Sequence, residues 1–344
     1  MKSVNILNHL DTTPRTPGET IGFAMWPENP NWSFQFQRLA VQAYTQGTDF
    51  AEFYLALRHV KAGDVEAWYQ ALNALAAKLE KEADQAFNEG HKITAREKWL
   101  RANNYYRASG FFYNITDERG GRAVEGRRRC FKKFASLSDV PIIPVEIPYE
   151  DTTLPGYIFS PVGNVKKLTP AVIMMGGGDT VAEEMYLNVG HALAIRGFTC
   201  LSFDGPGQGE ALRRGLVARY DWEVPIRACI DFLEKNDDVD SKRIAVCSLS
   251  LGGYYAGRAA AFEHRLAACI IWGGVYSFPP IVSHNPKADW VGPLKTLFGA
   301  ESLEEVQEKV KAYTLKGIAK NIECPTLILH GEAEEAFMHR QNET

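Results

Sequence analysis

The stretch VCSLSLGGYYAG at 246–257 sets two serines two residues apart, after a short apolar run and before a glycine pair. A serine hydroxyl becomes a nucleophile when a sharp strand-to-helix turn presents it and a base takes its proton. A turn that tight needs small residues two places before and two places after the nucleophile. Ser250 has Ser248 and Gly252 there, whereas Ser248 has the β-branched Val246 and Ser250. Ser250 is therefore the candidate nucleophile, with Ser248 where the usual pattern has its first glycine. The plainer alternative is a serine-rich loop between RIAVC and GGYYAGRAAAF. The backbone N–H of Leu251 would open the following helix, where backbone dipoles favour developing negative charge, so it is a candidate oxyanion donor.

A second glycine loop lies upstream. AVIMMGGGDTVAEEMY reads as strand, glycines, acid and helix. Gly178, with Gly177 next, is the candidate for a second inward N–H, because glycine lets backbone approach a substrate closely. Asp179 either lies near the reacting centre or caps the helix that follows. Both readings stand. FDGPGQGE at 203–210 follows another strand; its glycine spacing does not fit a dinucleotide fingerprint and Pro206 interrupts it. It reads as a sharp loop beneath the site.

The elements that must position these residues are legible in the pattern. Unbroken apolar runs (AVIMM, FTCLSF, RIAVC, ACIIWG, TLILH) alternate with helical stretches, which predicts an α/β fold with a doubly wound, mostly parallel sheet covered on both faces. Ahead of them, 140–161 reads as two strands around a turn. The first part is helical. Asp64 caps a helix ending at Gly90, with Val65, Trp68, Leu72, Leu75, Leu79, Ala83 and Phe87 on one face, and Thr94 with Glu97 forms a capping box for the next. This predicts a helical covering domain at 1–138 and an α/β domain at 139–344. The aromatic-rich NNYYRASGFFY at 103–113 either packs the helical core or lines an apolar pocket.

IMMGGGDT, FDGPGQGE, SLSLGGYYAGRAA, RLAACIIWGG and CPTLILHGEAEE occur in this order. Together they resemble the α/β hydrolases related to 2,6-dihydroxypseudooxynicotine hydrolase and the FrsA-like proteins, and fungal hydrolases that trim polyketides. The resemblance covers most of the chain. It implies an α/β-hydrolase core under an N-terminal helical domain. It also implies serine-dependent hydrolysis of C–C bonds next to a ketone, or of related esters, in aromatic ketone or polyketide-like substrates. Ser250 matches the family nucleophile, Asp179 an acidic position used in C–C cleavage, and Glu334 the triad acid, usually Asp. The family's histidine follows that acid on a loop after one more strand. Ten residues follow Glu334, with His339 the one histidine among them, and His191, His264, His284 and His330 match no family position. The expectation is a core lacking its last strand, helix and catalytic histidine, with impaired activity. A catalytically silent binding protein on the same fold and a plain carboxylesterase are the other readings.

Bulk properties exclude several classes. A net charge of −4 gives no polyanion-binding character. The basic run GRRRC at 126–130, with Arg119 and Arg122 before it, has no aromatic interleaving and reads as a solvated helix face or an interdomain contact, so no nucleic acid is expected. The cysteines at 130, 200, 229, 247, 269 and 324 form no CxxC pair and no zinc spacing. They read as buried thiols of a reducing compartment, and neither metal nor cofactor is expected. The N-terminus lacks a secretory apolar core, and no run reaches the roughly 18 apolar residues of a membrane span. The expectation is a cytoplasmic protein with a small-molecule substrate, no membrane partner, and homo-oligomerisation as an open option.

Overall fold

The computed structural model describes residues 24–115, 117–163, 168–283 and 288–331. Five helices come first: α1 (Pro30–Gln42), α2 (Phe50–Leu57), α3 (Val65–Asn88), α4 (Lys92–Ser109) and α5 (Glu118–Ala135). α3 begins as its sequence predicts, the Asp64 carboxylate accepting the Ala67 N–H at 2.9 Å. It buries Trp68, Leu72, Leu79 and Ala83. Phe87 departs from the expected face: it is exposed, with its ring against Trp99. α4 departs too. It starts at Lys92 with His91 as N-cap, so Thr94 lies inside the first turn and the capping box is not formed. Gly90, at φ 87°, turns the chain directly from α3 into α4 and moves the start forward.

The aromatic stretch at 103–113 packs the helical layer instead of lining a pocket. Tyr105 and Tyr106 are buried, and Phe112 stacks on Trp32 at 4.5 Å. The Tyr105 hydroxyl donates to Glu52 and the Tyr106 hydroxyl to Glu80, both at 3.0 Å. Polar tips held this way leave the rings fixed in the core.

The sheet has seven strands: β1 (Ile142–Tyr149), β2 (Thr152–Phe159), β3 (Thr169–Met175), β4 (Thr199–Phe203), β5 (Val239–Leu249), β6 (Ala268–Trp272) and β7 (Thr326–Leu329). They lie in the order β1-β2-β4-β3-β5-β6-β7. β2 is antiparallel to both neighbours, and the rest are parallel. Between strands run α6 (Ala182–Met185), a π-helical turn at Tyr186–Gly190, α7 (His191–Ala194), α8 (Gly209–Arg213), α9 (Glu223–Leu233) and α10 (Leu251–Phe262). Three more, α11 (Pro279–Ser283), α12 (Ala288–Phe298) and α13 (Leu303–Lys309), precede β7.

Alternation along the strands divides the core in two. Ile173, Met175, Leu201, Val246 and Ile271 pack with Trp222, Ile226, Tyr254 and Tyr255 around α9 and α10. Val172, Met174, Cys200 and Cys247 pack on the opposite face with Trp99, Phe131 and Phe134 of α4 and α5. The N-terminal helices thus cover one sheet face directly. The basic run at 126–130 is part of that contact: Arg127 is buried against Glu183 at 3.4 Å, and Arg128 reaches Glu210 at 3.0 Å. All six cysteines are free, and five are buried. Among the described residues no helix is long and apolar enough to cross a membrane.

Candidate active site

Ser250 sits between β5 and α10 with φ 58° and ψ −130°. A residue with a Cβ adopts such a backbone only where its surroundings impose it. The imposing contacts are backbone ones: the Ser250 N–H donates to the Trp272 carbonyl (3.1 Å), and its carbonyl accepts from Gly253 (2.8 Å) and Val275 (3.1 Å). The turn is thereby clamped to the end of β6, and the Ser250 side chain is left exposed. Ser248 plays the other part. It is buried, and its Oγ donates to the Met175 carbonyl at 2.8 Å, tying β5 to β3. A Cβ on Gly252 would lie 1.9 Å from Ser248 Oγ and 2.5 Å from the Gly176 carbonyl oxygen, so only glycine fits two places after Ser250.

The glycine loop after β3 lies on this turn. A Cβ on Gly177 would meet Ser250 Oγ and the Leu251 nitrogen, each at 3.2 Å, and one on Gly178 would meet Leu297 and Leu251. The Leu251 N–H occupies the first position of α10, where it has no intrahelical acceptor. Gln208, from FDGPGQGE, braces the loop. Its Nε2 donates to the carbonyls of Gly176 (2.7 Å) and Gly177 (2.8 Å), while its Oε1 accepts the Gly205 N–H at 3.0 Å. In a trans peptide the N–H points opposite to the C=O. Carbonyls drawn to Gln208 therefore turn the N–H groups of Gly177 and Gly178 to the other side of the loop. In the sequence the segment reads as a loop under the site, and Gln208 carries no signal there beyond being a lone Gln between glycines.

The capping reading of Asp179 is corrected. The first free amide of α6, at Ala182, goes to Asp204 Oδ1 at 2.8 Å, and Asp204 Oδ2 takes the Glu210 N–H at 2.8 Å. One buried carboxylate thus starts two helices. Burial and the neighbouring Glu183 charge push the Asp204 pKa above the ordinary carboxylate value, with Arg127 pulling the other way. Asp179 instead pairs with Arg38 of α1, whose Nη1 reaches Oδ2 at 2.8 Å. Arg38 is fixed on its far side by Glu184, at 2.8 Å from Nε and 2.6 Å from Nη2. Burial opposes the Arg38 charge, but Asp179 and Glu184 hold the guanidinium above its ordinary range.

Two of the described histidines stand apart from the serine. His264 lies past the far end of α10, about 18 Å of helix from Ser250, and faces Glu323. His191 packs against Tyr186, and burial lowers its pKa. His330 follows β7. Glu334, His339 and His284 lie outside the described residues, so the structure brings together Ser250, Leu251, Gly178 and the neighbouring Asp179. Among the described residues no cluster suited to a metal ion occurs. A surface groove of about 270 Å³ between Tyr149, Arg227 and Phe232 shares no residue with this site.

A mostly parallel sheet in this order, with a strained serine between its fifth strand and the next helix, defines an α/β hydrolase. Residues 67–286 match the family described as Esterase FrsA-like, and the chain belongs to it. The Xenoacremonium sinensis alpha/beta hydrolase xenA is 36% identical over 72% of this chain and 60% of its own length, so the chain spans about three fifths of that relative. The 20-hydroxy-prefusarin hydrolase FUS2 of Gibberella moniliformis is 33% identical over 86% of this chain and 81% of its own. The crystal structure of 2,6-dihydroxy-pseudo-oxynicotine hydrolase matches with a TM-score of 0.75 and 30% identity, over 85% of this chain and 81% of that one.

Proposed function

We propose that this protein is a serine-dependent hydrolase that cleaves a C–C bond beside a ketone, in aromatic ketone or polyketide-like molecules. The observation that carries the reading is the backbone of Ser250, strained at φ 58° and facing Gly177 at the end of β3. Ser250 Oγ adds to the substrate carbonyl, and its proton passes to a base oriented by Glu334. The N–H groups of Leu251 and Gly178 take the oxyanion. The C–C bond then breaks, its electron pair leaving as an enolate that is protonated on carbon, and water releases the acyl group from Ser250. Asp179 contacts the second oxygen of the substrate. Five buried free thiols support a reducing, cytoplasmic setting. The exposed Leu327, Ile328 and Leu329 of β7 support self-association.

The test is kinetic. Ser250→Ala abolishes hydrolysis of 1-phenylbutane-1,3-dione and labelling by a fluorophosphonate, while Ser248→Ala costs about tenfold or less, the worth of one buried hydrogen bond. Reversed effects would reassign the nucleophile, and absence of labelling in the parent chain would favour a silent binding protein. The family's esterase description favours a second reading, a plain carboxylesterase. Asp179→Asn separates the two: diketone turnover falls well below p-nitrophenyl acetate turnover if Asp179 serves C–C cleavage, and equal losses support the esterase.

A further inference from the structure

Asp179 is not held by its own loop. Among the described residues its one side-chain partner is Arg38, 141 positions earlier, on the first helix of the covering layer. Arg38 in turn is fixed in a buried network. Glu184 takes both Nε and Nη2 of Arg38, and accepts from Gln42 Nε2 at 2.7 Å. The Gln42 Oε1 accepts from Asn104 Nδ2 at 2.8 Å, and Arg107 approaches Glu184 at 3.6 Å. Burial would protonate Glu184, but Arg107 and Arg38 keep its pKa below the ordinary value. Glu184 takes two of the five guanidinium N–H groups along one edge, Nη2 also reaches Thr180 Oγ1 at 3.5 Å, and with that edge fixed Nη1 meets Asp179 Oδ2.

Oδ1 of Asp179 has no partner among the described residues, and the side chain is 47% exposed. It is an acceptor held in place beside Gly178. The same helix offers an apolar rail. Phe34, Arg38 and Val41 are spaced i, i+4, i+7 on α1 and so share one face, and Phe34 and Val41 are both exposed.

We propose that Arg38 is a positioning residue for Asp179, so that Oδ1 accepts a hydrogen bond from the hydroxyl or enol of an amphipathic ligand whose apolar part lies along Phe34 and Val41. The ligand class is an aryl or alkenyl β-dicarbonyl in its enol form, or the corresponding β-hydroxy ketone. This rests on the reading of Ser250 and Asp179 as one site and deepens it: the covering layer supplies part of the binding surface.

The test uses the full chain carrying Ser250→Ala, which binds without turnover, and two probes. 1-Phenylbutane-1,3-dione forms the conjugated enol through C2; 2,2-dimethyl-1-phenylbutane-1,3-dione, with no hydrogen on C2, cannot. Binding is read by calorimetry and by the near-ultraviolet enol band, with thermal melting as the check on folding. The expected result is about tenfold tighter binding of the enolising probe, the scale of one hydrogen bond to a charged acceptor. Asp179→Ala removes that preference. Arg38→Gln, which keeps a donor for Glu184 without reaching Asp179, removes most of it, and Arg38→Lys restores part. Val41→Ser weakens both probes alike. A preference that survives Arg38→Gln in a folded chain overturns the positioning role and leaves the substrate reading intact. Failure of both probes to bind overturns the substrate reading, and this inference with it.

Discussion

Ser248 and Ser250 differ by two positions and carry opposite duties, one a buried strap between strands and the other an exposed hydroxyl on a strained turn. That division was legible in the sequence because its cause is local: small neighbours are a condition for the turn itself. The residues that aim the rest of the site were not legible. Gln208 acts on carbonyls 31 and 32 positions away, and no local pattern marks such a partner. Its importance follows from peptide geometry, and it can be tested at that scale. Gln208→Met keeps the volume and removes both donors, freeing the Gly176 and Gly177 peptides to rotate. The expected outcome is a fall in kcat of about 10²-fold, the loss associated with one oxyanion donor, with KM little changed. Gln208→Glu does at least as much damage, because a carboxylate repels the two carbonyl oxygens. A raised KM at unchanged kcat would assign Gln208 to substrate binding instead.

At the scale of elements, the helical layer is joined to the sheet by charge as well as by apolar packing. Arg127 lies buried against Glu183 at 3.4 Å and within the field of Asp204, and removing it would leave Glu183 buried without its counter-charge at a cost of about 3–5 kcal/mol. In the sequence the basic run containing Arg127 reads as a solvated helix face or an interdomain contact; its partners lie 49 or more positions away and could be found only in the fold. The same limit explains the Asp179 cap: a helix beginning at 182 has Asp179 nearby in sequence, yet Asp204 reaches its first amide through space. Within the layer, Glu80 of α3 takes Arg129 of α5 at 2.6 and 2.7 Å and the Tyr106 hydroxyl of α4 at 3.0 Å. Burial works to protonate Glu80, but hydrogen bonds and charge from Arg129, with Tyr106 and Lys133, bring it from 4.5 down to about 2. A carboxyl whose pKa is lower in the folded state contributes its full stability above the unfolded value, and loses it as pH falls towards the folded one. Glu80→Gln is therefore expected to melt below the parent at pH 7, with the two melting temperatures converging between about pH 4 and pH 2. A gap that stays constant across that range would show that the ion pair contributes nothing to the difference.

For the whole molecule, the order of the strands puts β7 at one side of the sheet, paired with β6 alone among the described residues. Strand alternation and the parallel core were readable from the apolar runs, since a strand buried on both faces has no polar side to display. TLIL has the same apolar composition, but its setting differs: Leu327, Ile328 and Leu329 are 53%, 62% and 47% exposed. Leu329 lies beside the exposed Trp272 in the β6–β7 ladder, and Leu327 is two residues back on the same face. An apolar strand at the side of a sheet presents backbone donors and acceptors together with greasy side chains, and such edges invite pairing with another chain. The expected outcome is association that grows with protein concentration in sedimentation velocity. Ile328→Lys, which places a charge on that strand without touching the Ser250 turn, shifts the chain towards monomer and leaves fluorophosphonate labelling unchanged. A parent chain that sediments as a single monomeric species at every concentration would show that β7 makes no such contact in solution. Association unaltered by Ile328→Lys would place the contact on another surface, where the exposed Phe34 and Val41 face of α1 is the next to alter.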